Sequence, residues 1–72
     1  MNSPTTTTVV AAARRIAELH DVPFSYALPA AIADATVHLG HPVAATTPIT
    51  LDDRDAIVAA YSARTLGQVE SW

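Results

Sequence analysis

Seventy-two residues make one domain at most, since a chain this short buries only about 60% of its unfolded surface when it folds. Half of the residues are hydrophobic, but alanine supplies fifteen of them and aromatics only 6%, so the expected core is thin and small-sided. Four arginines and no lysine against seven acidic residues leave a net charge of −3, which on average repels duplex DNA and acidic membranes.

The absence of cysteine removes disulfides and thiolate metal ligands and suits a reducing cytoplasm. No apolar run reaches the roughly 18 residues of a spanning helix, and Met1-Asn2-Ser3-Pro4 lacks the basic start of a secretory signal, so a cytoplasmic protein off the membrane is expected. Arginine without lysine, beside heavy alanine, threonine and aspartate usage, is the mark of a high-GC coding sequence such as that of an actinobacterium or one of its phages.

Three helical stretches separated by proline and glycine account for most of the chain, and no segment alternates apolar and polar residues long enough for a convincing strand. The expected fold class is all-α: a small three-helix domain over residues 9–67, a flexible threonine-rich N-terminus over 1–8 and a C-terminal tail over 68–72. The run Thr5-Thr6-Thr7-Thr8 can cap the first helix, which sets Val9, Ala12 or Ala13, Ile16 and Leu19 on one stripe. His20 falls in its last turn, and Asp21-Val22-Pro23 ends it, because the residue before a proline is pushed out of the α region.

The second helix is expected to start at Leu28 to Pro29, with proline where its missing amide costs nothing, and to bury Leu28, Ile32, Ala35 and Leu39. Gly40 and Pro42 stop it. Residues 40–50 then form a proline-containing connector that runs extended, with Val43 and Ile49 packing down. Thr50 and Asp53 have capping-box spacing, and Asp52, Asp53 and Asp55 suit the positive end of a third helix. That helix buries Ile57, Val58, Tyr61 and Leu66 and ends at Gly67.

The stretch Ala17-Glu18-Leu19-His20-Asp21-Val22-Pro23-Phe24-Ser25-Tyr26-Ala27 resembles the helix-turn-helix of small repressors over about fifteen residues. The resemblance implies a DNA-binding regulator in which Arg14, Arg15, Ser25 and Tyr26 approach the duplex. The sequence departs from that pattern twice: Pro29 lies inside the would-be recognition helix, and no lysine or arginine occurs between Arg15 and Arg54.

Asp34, His38 and His41 have a spacing that invites Zn²⁺, but a fourth ligand is missing, and no metal or other cofactor is expected. Ser25, Ser62 and the histidines are not set in a nucleophile elbow, there are only two glycines for a phosphate cradle, and the adjacent Asp52 and Asp53 diverge. A non-enzymatic protein is the expectation.

Aromatic residues point to contact instead. Trp and Tyr dominate interface hot spots, and a C-terminal Trp72, at helical spacing from Val69, either plugs the core or anchors a partner. The leading reading is a regulatory or adaptor protein that binds another protein or a copy of itself. Its contact residues are expected among Val9, Ile16, Phe24, Tyr26, Val69 and Trp72, with Arg14 and Arg15 as a polar rim. The alternatives are the helix-turn-helix regulator and a minor structural subunit of a larger assembly.

Overall fold

A computed structural model describes residues 6–70 of the chain, with side chains through Thr65. Three helices carry the fold: α1 (Val9–His20), α2 (Phe24–Leu39) and α3 (Leu51–Glu70). Two three-residue strands, β1 (Thr6–Thr8) and β2 (Pro48–Thr50), pair antiparallel, with Thr6 opposite Thr50, Thr7 opposite Ile49 and Thr8 opposite Pro48. The domain is small and all-α, with a minor sheet that sequence pattern does not reveal because each strand is too short to alternate. Thr6–Thr8 are therefore paired backbone rather than flexible tail, which suits β-branched residues. Thr8 stands at the N-cap of α1 without a capping side-chain bond.

The core gathers Val9, Ala12, Ala13 and Ile16 from α1, Ala27, Ala31 and Ala35 from α2, Ile49 from β2, and Ile57, Val58 and Tyr61 from α3. On α1 the inward stripe continues four residues beyond Ile16 to His20, so Leu19, expected in the core, faces solvent at 53% exposure. On α2 the expected face is rotated. Ala27, Ala31 and Ala35 form the buried line at i, i+4 and i+8, while Leu28, Ile32 and Leu39 are half-buried at its margin. Alanines on the centreline let the helix backbones approach closely, and the bulkier leucines and isoleucine fill the edges where the helices diverge.

The α1–α2 connection is a three-residue turn. Asp21 takes the left-handed conformation (φ 52°, ψ 49°), its amide donating to Ala17 O, and Val22 N donates to the same carbonyl at 3.2 Å. Pro23 then sits at the N-cap of α2, where its carbonyl accepts from Tyr26 N and Ala27 N, each at 3.0 Å.

The helix start expected at Leu28 to Pro29 is thus corrected to Phe24, and Phe24 and Tyr26 are helical residues rather than loop. Pro29 is carried inside α2 without breaking it. Only the bond to Ser25 O is lost, and both residues lie on the exposed side, where that carbonyl is open to solvent.

Gly40 ends α2 as expected, at φ 78°, with its amide donating to Thr36 O at 2.9 Å. The connector folds into a turn: Thr47 N donates to Ala44 O at 3.1 Å, and Ala44 N donates to Thr47 Oγ1 at 2.8 Å. Val10 N donates to Ala45 O at 3.1 Å, which ties the turn to α1 before the chain enters β2. Thr50 and Asp53 form the reciprocal capping box that their spacing announces, with Asp53 N donating to Thr50 Oγ1 at 3.0 Å and Thr50 N to Asp53 Oδ2 at 3.2 Å. The end of α3, expected at Gly67, moves to Glu70. A glycine inside a helix costs only about 1 kcal/mol, and no proline follows to enforce a stop.

Candidate interaction surface

At the α1–α2 corner three large apolar side chains stay in water: Leu19 (53% exposed), Phe24 (41%) and Tyr26 (58%). Leu19 is the next-to-last residue of α1, Phe24 opens α2 and Tyr26 follows in the same turn, so all three flank the tight turn at Asp21 to Pro23. Behind them lies a polar layer. His20 Nε2 hydrogen-bonds Ser62 Oγ at 2.9 Å, and its ring meets Tyr61 edge-on with centroids 4.9 Å apart. Burial raises the Tyr61 phenol above its ordinary value; the Thr65 hydroxyl opposes this and the Tyr26 phenol adds to it. The corner is therefore pinned to α3 through His20.

Next to this layer, Arg64 Nη1 and Nη2 donate to Asp34 Oδ1 and Oδ2 at 2.8 and 3.2 Å, and the guanidinium stands 5.5 Å from the Tyr61 ring centroid. Asp34 is the one buried polar or charged residue among those described, and Arg64 is half-exposed. Burial pushes the Asp34 carboxyl above its ordinary value, and the charge and hydrogen bonds of Arg64 pull it partly back. At the other end of α2, His38 Nε2 donates to Asp53 Oδ1 at 3.0 Å, tying the last turn of α2 to the first turn of α3. That bond, with the amide and hydroxyl of Thr50, holds the Asp53 carboxyl below its ordinary value.

These contacts pull the Asp34, His38 and His41 set apart. Asp34 is taken by Arg64, His38 by Asp53, and His41 Nδ1 donates to the carbonyl of Pro42 at 3.1 Å. Among the described residues no group of three His, Cys, Asp or Glu side chains is placed to hold a metal ion, and no helix is long and apolar enough to cross a membrane.

Of the residues expected at an interface, Val9 and Ile16 are fully buried in the core, where no partner reaches them in the folded chain. Sequence alone cannot separate these cases, because a stripe at helical spacing has the same pattern whether it faces its own core or a partner. Phe24, Ser25 and Tyr26 are exposed in the first turn of α2. Arg14 and Arg15 are exposed on α1 and join no salt bridge among the described residues. The Val69 side chain and Trp72 lie outside the described residues.

Leu19 and Val37, the latter 83% exposed, were not anticipated as surface groups. For Val37 the signal was available, since it lies on the far side of α2 from Ala31 and Ala35; for Leu19 it was not, since both i+3 and i+4 from Ile16 share its face. No family model, no curated protein and no solved structure matches the chain.

Proposed function

We propose that this is a small non-enzymatic regulatory or adaptor protein that acts in the cytoplasm by binding another protein, with self-association as one mode. The observation that carries this reading is the corner at which Leu19, Phe24 and Tyr26 remain exposed although the core is short of large side chains. A chain with so little apolar bulk gains more by burying these three than by exposing them, unless a partner covers them. The polar layer of His20, Ser62, Tyr61 and the Asp34–Arg64 pair gives that corner a fixed backing, which lowers the ordering cost of association.

The helix-turn-helix reading draws on one specific feature, the three-residue turn with left-handed Asp21 between α1 and α2. Against it, α2 has no lysine or arginine to meet a phosphate, and its ionisable groups Asp34 and His38 are both engaged with α3.

The test is capture of partners from lysate with tagged wild-type protein and with a Phe24→Asp, Tyr26→Asp variant, with and without nuclease and at two salt concentrations. A stoichiometric protein band that survives nuclease and salt and disappears with the variant supports the proposal. Recovery of duplex DNA that salt abolishes overturns it in favour of the regulator.

A further inference from the structure

The C-terminal end of α1 carries negative charge that the fold does not offset. Aligned peptide dipoles leave the last turn of a helix partly negative, and the groups that suit it are cations. Here Glu18 lies in that turn and Asp21 follows at the C-cap, both exposed, and neither joins a salt bridge among the described residues. Among those residues the carbonyls of Glu18, Leu19 and His20 also accept from no backbone amide outside α1.

The nearby cations are spent or set apart. His20, the basic residue of the last turn, turns to Ser62, and Arg64 is held by Asp34. Arg14, although four residues before Glu18, makes no salt bridge with it. Asp21 is the sharper case. Its left-handed backbone (φ 52°) is one that glycine or asparagine takes at least as readily, so the turn itself needs no carboxylate there.

The same turn is flanked by the exposed side chains of Leu19, Phe24 and Tyr26. We infer that this corner docks a basic segment of a partner protein, with large apolar side chains against Leu19, Phe24 and Tyr26 and a lysine or arginine against Glu18 and Asp21; this rests on the protein-binding reading above and adds the chemistry of the partner.

Charge complementarity selects that occupant. A cation at the end of α1 gains from two carboxylates and the helix terminus at once. An acidic segment, a nucleic acid, or a second copy presenting the same corner of a chain with net charge −3 is repelled there. Arg14 and Arg15 lie a turn or more further back on α1, which sets a direction: the basic part of the segment lies toward Asp21. The two sets of contacts have different consequences. The apolar side chains supply most of the affinity, and the exposed ion pairs, each worth little, supply the selection.

Fluorescence anisotropy of labelled model peptides added to the full-length protein tests the inference, with leucine–lysine and leucine–glutamate peptides of equal length as the probes. The lysine peptide is expected to bind about tenfold more tightly than the glutamate one. Glu18→Gln with Asp21→Asn keeps the helix and the left-handed turn, and is expected to cut that preference to about twofold or less while raising Tm, because it relieves the helix end. Asp52→Asn with Asp55→Asn removes the same amount of charge from the start of α3 and is expected to leave most of the preference in place. Phe24→Ala with Tyr26→Ala is expected to weaken the lysine peptide at least about tenfold.

Equal binding of the two peptides, an equal loss of preference in both charge variants, a lysine peptide indifferent to Phe24→Ala with Tyr26→Ala, or a lower Tm for Glu18→Gln with Asp21→Asn each overturn the inference. Partner capture from lysate is read separately. A corner that captures its protein partner but shows no preference for the lysine peptide sinks the basic occupant and leaves the broader reading standing.

Discussion

Replacing Arg64 by methionine keeps most of the side-chain stem but removes the guanidinium that both Asp34 oxygens accept from. Asp34 is then a buried carboxylate without its partner. Removing one member of a fully buried pair costs about 3–5 kcal/mol, and because Arg64 is half-exposed and water can enter where it stood, about 2 kcal/mol is expected. That is a large share of the roughly 4–11 kcal/mol usual for a domain of this length. Asp34→Asn, by contrast, removes the charge that burial disfavours along with the ion pair, and should cost less than about 1 kcal/mol.

The pH dependence follows from the raised Asp34 carboxyl. A carboxyl raised in the folded state contributes stability below its unfolded value of about 3.9 and loses it as pH climbs through the folded value. Without Arg64 the carboxyl rises further, so the deficit of Arg64→Met is largest near neutrality and shrinks toward pH 4. Urea unfolding followed by circular dichroism at both pH values measures this. Equal costs for Arg64→Met and Asp34→Asn, or a deficit that grows in acid, refute the reasoning.

Other substitutions probe other parts of the fold. Ile16→Ala or Ile57→Ala, at fully buried sites, should each cost about 2–5 kcal/mol and lower Tm sharply by circular dichroism, whereas Leu19→Ala should barely shift Tm. Gly40→Ala meets open space but must hold φ at 78°, so a loss of about 1 kcal/mol in urea unfolding is expected from backbone strain alone. Thr50→Ala removes half of the capping box and should lower stability by about 1 kcal/mol. Because the Asp53 carboxyl is lowered, its stabilisation is present above the ordinary carboxylate value and is lost as pH falls through the lowered one. Tm of the wild type should accordingly fall more steeply than that of Asp53→Asn below about pH 4.

Local signals made part of this fold legible in the sequence. The capping box at Thr50 and Asp53, the stop at Gly40 and the α3 residues Ile57, Val58 and Tyr61 each depend on neighbours a few positions away, and they stand as read. The misread features depend on distant partners. The start of α2 moved because Pro23 O serves as its first acceptor, a role hidden behind the louder signal of Pro29. The strands β1 and β2 exist only through each other, forty residues apart, and neither has enough length to show a period. Asp34 and Arg64 are thirty residues apart, so nothing local marks either as a core ion pair. Of the residues expected at an interface, Phe24 and Tyr26 are exposed, at 41% and 58%. Val9 and Ile16 were not separable from them until the packing showed which stripe faced inward.

The most direct measurement is the salt dependence of partner binding by the wild type, by Phe24→Asp with Tyr26→Asp, and by Arg14→Ala with Arg15→Ala. If the apolar corner carries association, affinity changes little between low and moderate salt, the corner variant loses it, and the arginine variant keeps most of it. Affinity that collapses with salt and with the two arginines, while the corner variant still binds, contradicts the account and makes the protein a reader of polyanions.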